Sequence, residues 1–128
     1  MASNTPLLPG VNHFISLEKA KEMTALFRAQ KENILDPAYR GKNILSICET
    51  FNRDIFDAIL AETGCVAMRI YFGMDPDLKV KVILVGVNEK NQDILPTSST
   101  ISAENDDDPV PIGEIGAPCP DFCPEPPL

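Results

Sequence analysis

Along this chain the spacing of apolar residues changes once, near residue 65, from steps of three and four to strict alternation. Over residues 16–35, Ala20, Met23, Phe27 and Ile34 share one side of a 3.6-residue period, with Gln30 interrupting and Leu26 widening the stripe. That pattern predicts a first helix. Ser16 suits its N-cap and Glu18 its first turn, whereas Lys19 spoils a capping box. Pro37 sets the latest end, because a proline drives the preceding residue out of helical geometry. A second helix is predicted over 46–64. Ser46-Ile47-Cys48-Glu49 matches a capping box, and Gly64 supplies the stop. Ile47, Phe51, Ile55, Ala58 and Ile59 form its apolar stripe, broadened by Phe56 and Leu60. Glu49 and Arg53 would then be a favourable i,i+4 pair, worth about 0.2–0.5 kcal/mol.

Residues 65–74 (CVAMRIYFGM) and 78–88 (LKVKVILVGVN) alternate on either side of Asp75-Pro76-Asp77, a turn signal, and predict an antiparallel hairpin. With the turn centred on Pro76, Phe72 faces Val80, Ile70 faces Val82 and Met68 faces Leu84. This even-numbered face is apolar and is expected to lie on the two helices. The odd face is divided: Arg69, Tyr71, Lys79 and Lys81 stand near the turn, and Ile83, Val85 and Val87 lie farther along. A two-stranded sheet is barely stable alone. Burying the three β-branched residues contributes on the order of 5 kcal/mol as an upper estimate, so some cover is expected. It could come from the C-terminal segment, from a third strand near 93–95 after a turn at 89–92, or from a second copy of the chain. The order of elements argues against a doubly wound parallel sheet, which needs alternating units. The expected class is α+β: two N-terminal helices packed on a small antiparallel sheet built around the 65–88 hairpin.

Charge changes this picture only towards the C-terminal end. The chain carries 19 acidic and 11 basic residues, a net charge of −8, and its last basic residue is Lys90. Residues 96–128 hold seven of the acids and eight of the twelve prolines. The expected organisation is a near-neutral α+β domain over 1–95 and an acidic, Pro-rich extension over 96–128. The extension can be neither regular helix nor central strand, and its composition suits a segment that folds onto something else or stays mobile. A length of 128 residues leaves room for one hydrophobic core. The negative charge repels phosphate backbones, which argues against nucleic-acid partners. The first ten residues lack the pattern of a signal peptide, and no apolar run reaches about 18 residues, so a cytoplasmic protein with no membrane span is expected. In that setting the four cysteines read as thiols rather than a disulfide framework.

Among candidate chemistries, Cys119-Pro-Asp-Phe-Cys123 stands out. It reads first as two thiols, with a small disulfide ring and then a metal site as alternatives; two ligands alone do not make a zinc site. Cys48, in the first turn of the expected second helix, could be activated by the helix N-terminus, but a small buried hydrophobe is the commoner role. The run Glu104-Asn105-Asp106-Asp107-Asp108 lacks the glycine and bidentate glutamate of a calcium loop and reads as a solvated linker. Asp54 and Asp57 read as the wet face of a helix. No phosphate loop, H-E-x-x-H or G-x-S-x-G is present, so no catalytic residue and no cofactor is assigned. The patch Arg69, Tyr71, Lys79 and Lys81 reads as a charge-protected sheet face or as a binding face for an anionic group. Arg53 could join Arg69 and Tyr71 in a polar cleft.

The segments Glu49-Thr50-Phe51-Asn52-Arg53, Arg69-Ile70-Tyr71-Phe72-Gly73-Met74-Asp75 and Leu84-Val85-Gly86-Val87, with the Cys-Pro C-terminal stretch, resemble a group of small uncharacterised bacterial proteins. The resemblance covers roughly residues 45–128. It implies a bacterial, intracellular setting and carries no activity, cofactor or functional residue. The expected function is a non-enzymatic interaction or structural module, using its outer sheet face or acidic extension to hold a protein partner or a second copy as a homodimer. The competing expectation is a metal- or redox-dependent protein built on Cys119 and Cys123.

Overall fold

The computed structural model describes residues 7, 10, 12–96, 110–126 and 128, and contains two helices with small antiparallel sheets in an α+β arrangement. Helix α1 spans Leu17–Gln30 and α2 spans Arg53–Leu60; the strands are β1 (Cys48–Thr50), β2 (Cys65–Met74), β3 (Val80–Asn88), β4 (Asp93–Ile94) and β5 (Ala117–Cys119). Strands β2, β3 and β4 form one sheet in that order, and β1 pairs with β5 in another. The backbone gathers into two compact units. One comprises the described residues of Met1–Val11, Phe51–Tyr71 and Val82–Ile115, the other those of Asn12–Thr50, Phe72–Lys81 and Gly116–Leu128. No helix among the described residues is long and apolar enough to cross a membrane.

In the first unit α2 begins at Arg53, not near Ser46. Asn52 is its N-cap, and its side chain accepts from the Asp54 N–H at 3.1 Å. Phe51, just before the cap, meets Phe56 in the first turn edge to face, with ring centroids 6.2 Å apart. A hydrophobic residue before the cap packed on one a turn later fixes how the chain enters a helix. Residues 48–50 are therefore a strand, and the capping-box match at Ser46 is fortuitous. Arg53 pairs with Asp57 at 3.1 Å instead of with Glu49. Helix α2 ends at Leu60, and Gly64, at φ +82°, lies in the turn leading into β2.

The core of this unit uses both faces of β3: Gly86 approaches Ile59 of α2 on the even side, which Leu84 shares, and Val85 and Val87 lie on the odd side. Ile59, Leu84, Val85 and Val87 are buried, none more than 3 % exposed. Two glycines let backbone come close here. A Cβ on Gly86 would stand 3.2 Å from Ile59 Cγ2 and 3.0 Å from Cys65 Sγ, and one on Gly113 would stand 2.7 Å from Ile55 Cγ1. Gly113 exchanges two 2.8 Å backbone bonds with Leu84. Strand β4 forms where a third strand was expected, with Gly86 opposite Ile94 and Val87 opposite Asp93.

The hairpin forms as the alternation predicts, but its turn is wider. Asp75 N–H donates to the Lys79 carbonyl at 3.0 Å, which centres the turn on Asp77 rather than Pro76. The Asp75 carboxylate accepts from the N–H groups of Asp77 and Lys79. The even face is covered only in part: Leu84 is buried, while Ile70, Phe72 and Met74 on β2 are exposed.

In the second unit Ser16 caps α1 as expected, accepting from Lys19 N–H at 3.0 Å. The helix stops at Gln30, earlier than Pro37 requires, and Arg40 folds back on the turns that follow. Its guanidinium donates to the carbonyls of Glu32, Asn33 and Leu35, satisfying groups at the end of this turn region. Glu32 closes the same loop by accepting from Gly41 N–H at 2.8 Å, and that bond chiefly holds its carboxyl below the ordinary range. Helix α1 buries no residue.

Candidate functional site

Of the candidate binding residues, Arg69 and Tyr71 come together, and they do so on a third residue. Two positions apart on β2, they share one side of the strand. Tyr71 Oη donates to one carboxylate oxygen of Asp93, at the start of β4, and Arg69 Nη1 donates to the other. The second Arg69 nitrogen donates to the Asn91 side chain, in the turn before β4. This turn is built by Asn88, whose side chain accepts from Lys90 N–H and Gln92 N–H. Asn91 takes a left-handed conformation at φ +65°, which asparagine tolerates better than most residues.

Because β3 lies between β2 and β4, these bonds reach across the central strand. Each group adjusts to the other. The Tyr71 hydroxyl, with Arg69, holds the Asp93 carboxyl below its ordinary value, and the Asp93 carboxylate holds the Tyr71 phenol above its own. The Arg69 charge is matched by Asp93, so the chain itself supplies an anionic partner for this part of the patch. Arg53 lies on α2 in its ion pair with Asp57, both side chains exposed. Lys79 and Lys81 belong to the other unit.

The cysteines fall into two states. Cys119 and Cys123 are joined in a disulfide, with Cα atoms 4.7 Å apart, where the sequence favoured two thiols. Cys48 and Cys65 carry free thiols. Cys48 is not at a helix N-terminus; it sits on β1 directly opposite Cys119 on β5. Cys65 Sγ donates to the Ala67 carbonyl at 3.2 Å. Among the described residues no group of three or more His, Cys, Asp or Glu side chains is arranged to hold a metal ion. The acidic run at 104–108 lies outside the described residues.

Apolar surface is the other notable feature. Val66, Ile70, Phe72 and Met74 on β2 are between 53 % and 77 % exposed. On α1 and the turn after it, Met23, Leu26, Phe27, Gln30, Lys31 and Ile34 line a shallow depression. No family model matches the chain, and neither does any curated protein or solved structure. The functional reading therefore stands on this geometry alone.

The sequence pattern pointed to Arg69 and Tyr71 but missed Asp93 and Asn91 as their partners. A signal was there: an acid opening a third strand can reach arginine and tyrosine side chains on the first. The position of Cys48 opposite Cys119 had no local signal, since it depends on pairing between distant segments.

Proposed function

We propose that this chain is a non-enzymatic protein-interaction module that pairs with a second copy of itself along the edge of β2. The observation that carries this reading is an edge strand of ten residues whose even face is apolar and exposed at Val66, Ile70, Phe72 and Met74. Edge strands are ordinarily guarded by charges, prolines or bulges, because unpaired N–H and C=O groups invite another strand. Here the guard is light, since β2 has no proline and Arg69 is its sole charged residue.

The strand also suits itself. Antiparallel pairing about Ile70 sets Val66 opposite the partner's Met74 and Met68 opposite the partner's Phe72. Arg69 then meets the partner's Tyr71, so no like charges face each other. Each large apolar side chain that passes from exposed to buried contributes about 1.5–3 kcal/mol, and the two-fold counts every such contact twice.

Light scattering coupled to size exclusion, over a range of concentrations, tests this. The wild-type chain is expected to run as a dimer, and Phe72→Lys, which changes an already exposed position, as a monomer. A wild-type chain that stays monomeric throughout, or a Phe72→Lys variant that dimerises as well as wild type, would overturn the reading.

A further inference from the structure

We propose that Cys48, Cys119 and Cys123 form a three-cysteine exchange site, in which the Cys48 thiol displaces Cys123 from the Cys119–Cys123 disulfide. The argument begins with register. Cys48 on β1 and Cys119 on β5 are direct partners in an antiparallel pair, and the Ile47 N–H donates to the Cys119 carbonyl at 3.0 Å. Directly opposed residues of such a pair put their side chains on the same face, with Cα atoms about 4.5–5.5 Å apart. Cysteines with Cα atoms about 4.4–6.8 Å apart can form a disulfide. The backbone that holds the existing bond to Cys123 thus also places a second thiol in position for an alternative one.

The step needs no outside oxidant. The Cys48 thiolate attacks Cys119 Sγ, forming a bond between those two sulfurs. The bond from Cys119 to Cys123 breaks, and Cys123 leaves with the electron pair as a thiolate, taking up the proton that Cys48 gave away. One disulfide is replaced by one disulfide. What changes is location, because Cys119 is 1 % exposed and common to both bonds, whereas Cys123 is exposed and Cys48 half-buried. Exchange therefore moves the bond into the β1–β5 pair and releases a thiol at the surface. That thiol can react with a small disulfide such as oxidised glutathione, giving a mixed disulfide and one released glutathione thiolate. The site takes thiols and disulfides as its ligand class. In a reducing compartment, disulfides that do form are usually transient and catalytic or redox-sensing, which is the behaviour this arrangement supports.

Trypsin separates the relevant residues, since Cys48 falls in fragment 43–53, Cys65 in 54–69, and Cys119 with Cys123 in 91–128. The full chain is incubated at about pH 8, where an ordinary thiol is partly ionised, with and without oxidised glutathione. It is then alkylated, run on a non-reducing gel, and the monomer band digested for mass spectrometry. The expected result is fragment 43–53 linked to 91–128, with Cys123 alkylated or carrying glutathione. This species should be lost in Cys48→Ala and kept in Cys65→Ala. Two results overturn the proposal: an internal bridge in 91–128 that survives every condition while Cys48 is alkylated, or linkage of 91–128 to 54–69 as often as to 43–53. Both overturning results are read on the wild-type chain, so they do not depend on how a variant folds.

Discussion

Asp93 is the residue that gives the polar end of the sheet its structure. Its carboxylate takes one bond from Arg69 and one from Tyr71. The sequence showed both donors, because alternation along β2 fixes which residues share a face. It did not show their acceptor, because Asp93 sits on a two-residue strand too short to have a period. The pKa directions give a test. The folded-state value of Asp93 lies below the ordinary 3.8, so its contribution to stability is complete above that value and is lost as pH falls through the folded one. Tyr71 lies above its ordinary 10.0, so its contribution is complete below 10.0 and is lost as pH rises through its folded value. Asp93→Asn is expected to melt at a lower temperature than wild type at neutral pH, with the gap closing in acid below about pH 4. Melting curves followed by circular dichroism would show this. A gap that stays constant from neutral pH into strong acid would mean that the carboxylate charge plays no part.

At the scale of elements, alternation and stripe were reliable where partners are close in sequence. The hairpin, the Ser16 cap and a third strand near 93–95 were all legible for that reason. The stretch 46–52 was not, because its pairing partner, Ala117–Cys119, lies far along the chain. Local pattern favoured helix there, and distant pairing decided for strand. The true start of α2 was nevertheless written in Phe51-Asn52-Arg53-Asp54-Ile55-Phe56: a capping asparagine, an acid in the first turn, and aromatic residues placed to clasp across the cap. Substituting each candidate cap separates the two starts. Asn52→Ala should cost about 1 kcal/mol, the usual loss when a helix cap is removed. Ser46→Ala should cost less, within about 0.5 kcal/mol, because Ser46 caps no helix. Denaturant titration measures both. Equal losses, or a larger one at Ser46, would contradict the helix start at Arg53.

For the whole molecule, composition drew attention to a change of character near residue 95, where unbalanced acids and prolines begin to accumulate. What composition could not show is what the extension touches. Its described residues engage both compact units: Gly113 exchanges two backbone bonds with Leu84 in the first, and Ala117–Cys119 pairs with β1 in the second. Gly113 fits because it lacks a side chain; a Cβ there would press within 2.7 Å of Ile55. Cys119 is 1 % exposed, as buried as Val87. A chain cut after Leu95 would lose all of these contacts at once. Each backbone bond is worth about 0.5–1.5 kcal/mol net, and a domain of this kind holds only about 5–15 kcal/mol in total. Losing several bonds, a strand pair and a buried residue together removes a large share of that margin. Fragment 1–95 is therefore expected to melt at a markedly lower temperature than the full chain, or without a cooperative transition, and to bind a dye that reports exposed apolar surface. A fragment that melts cooperatively at the full-length temperature, without dye binding, would show that residues 1–95 form an independent domain and that the extension adds nothing to its stability.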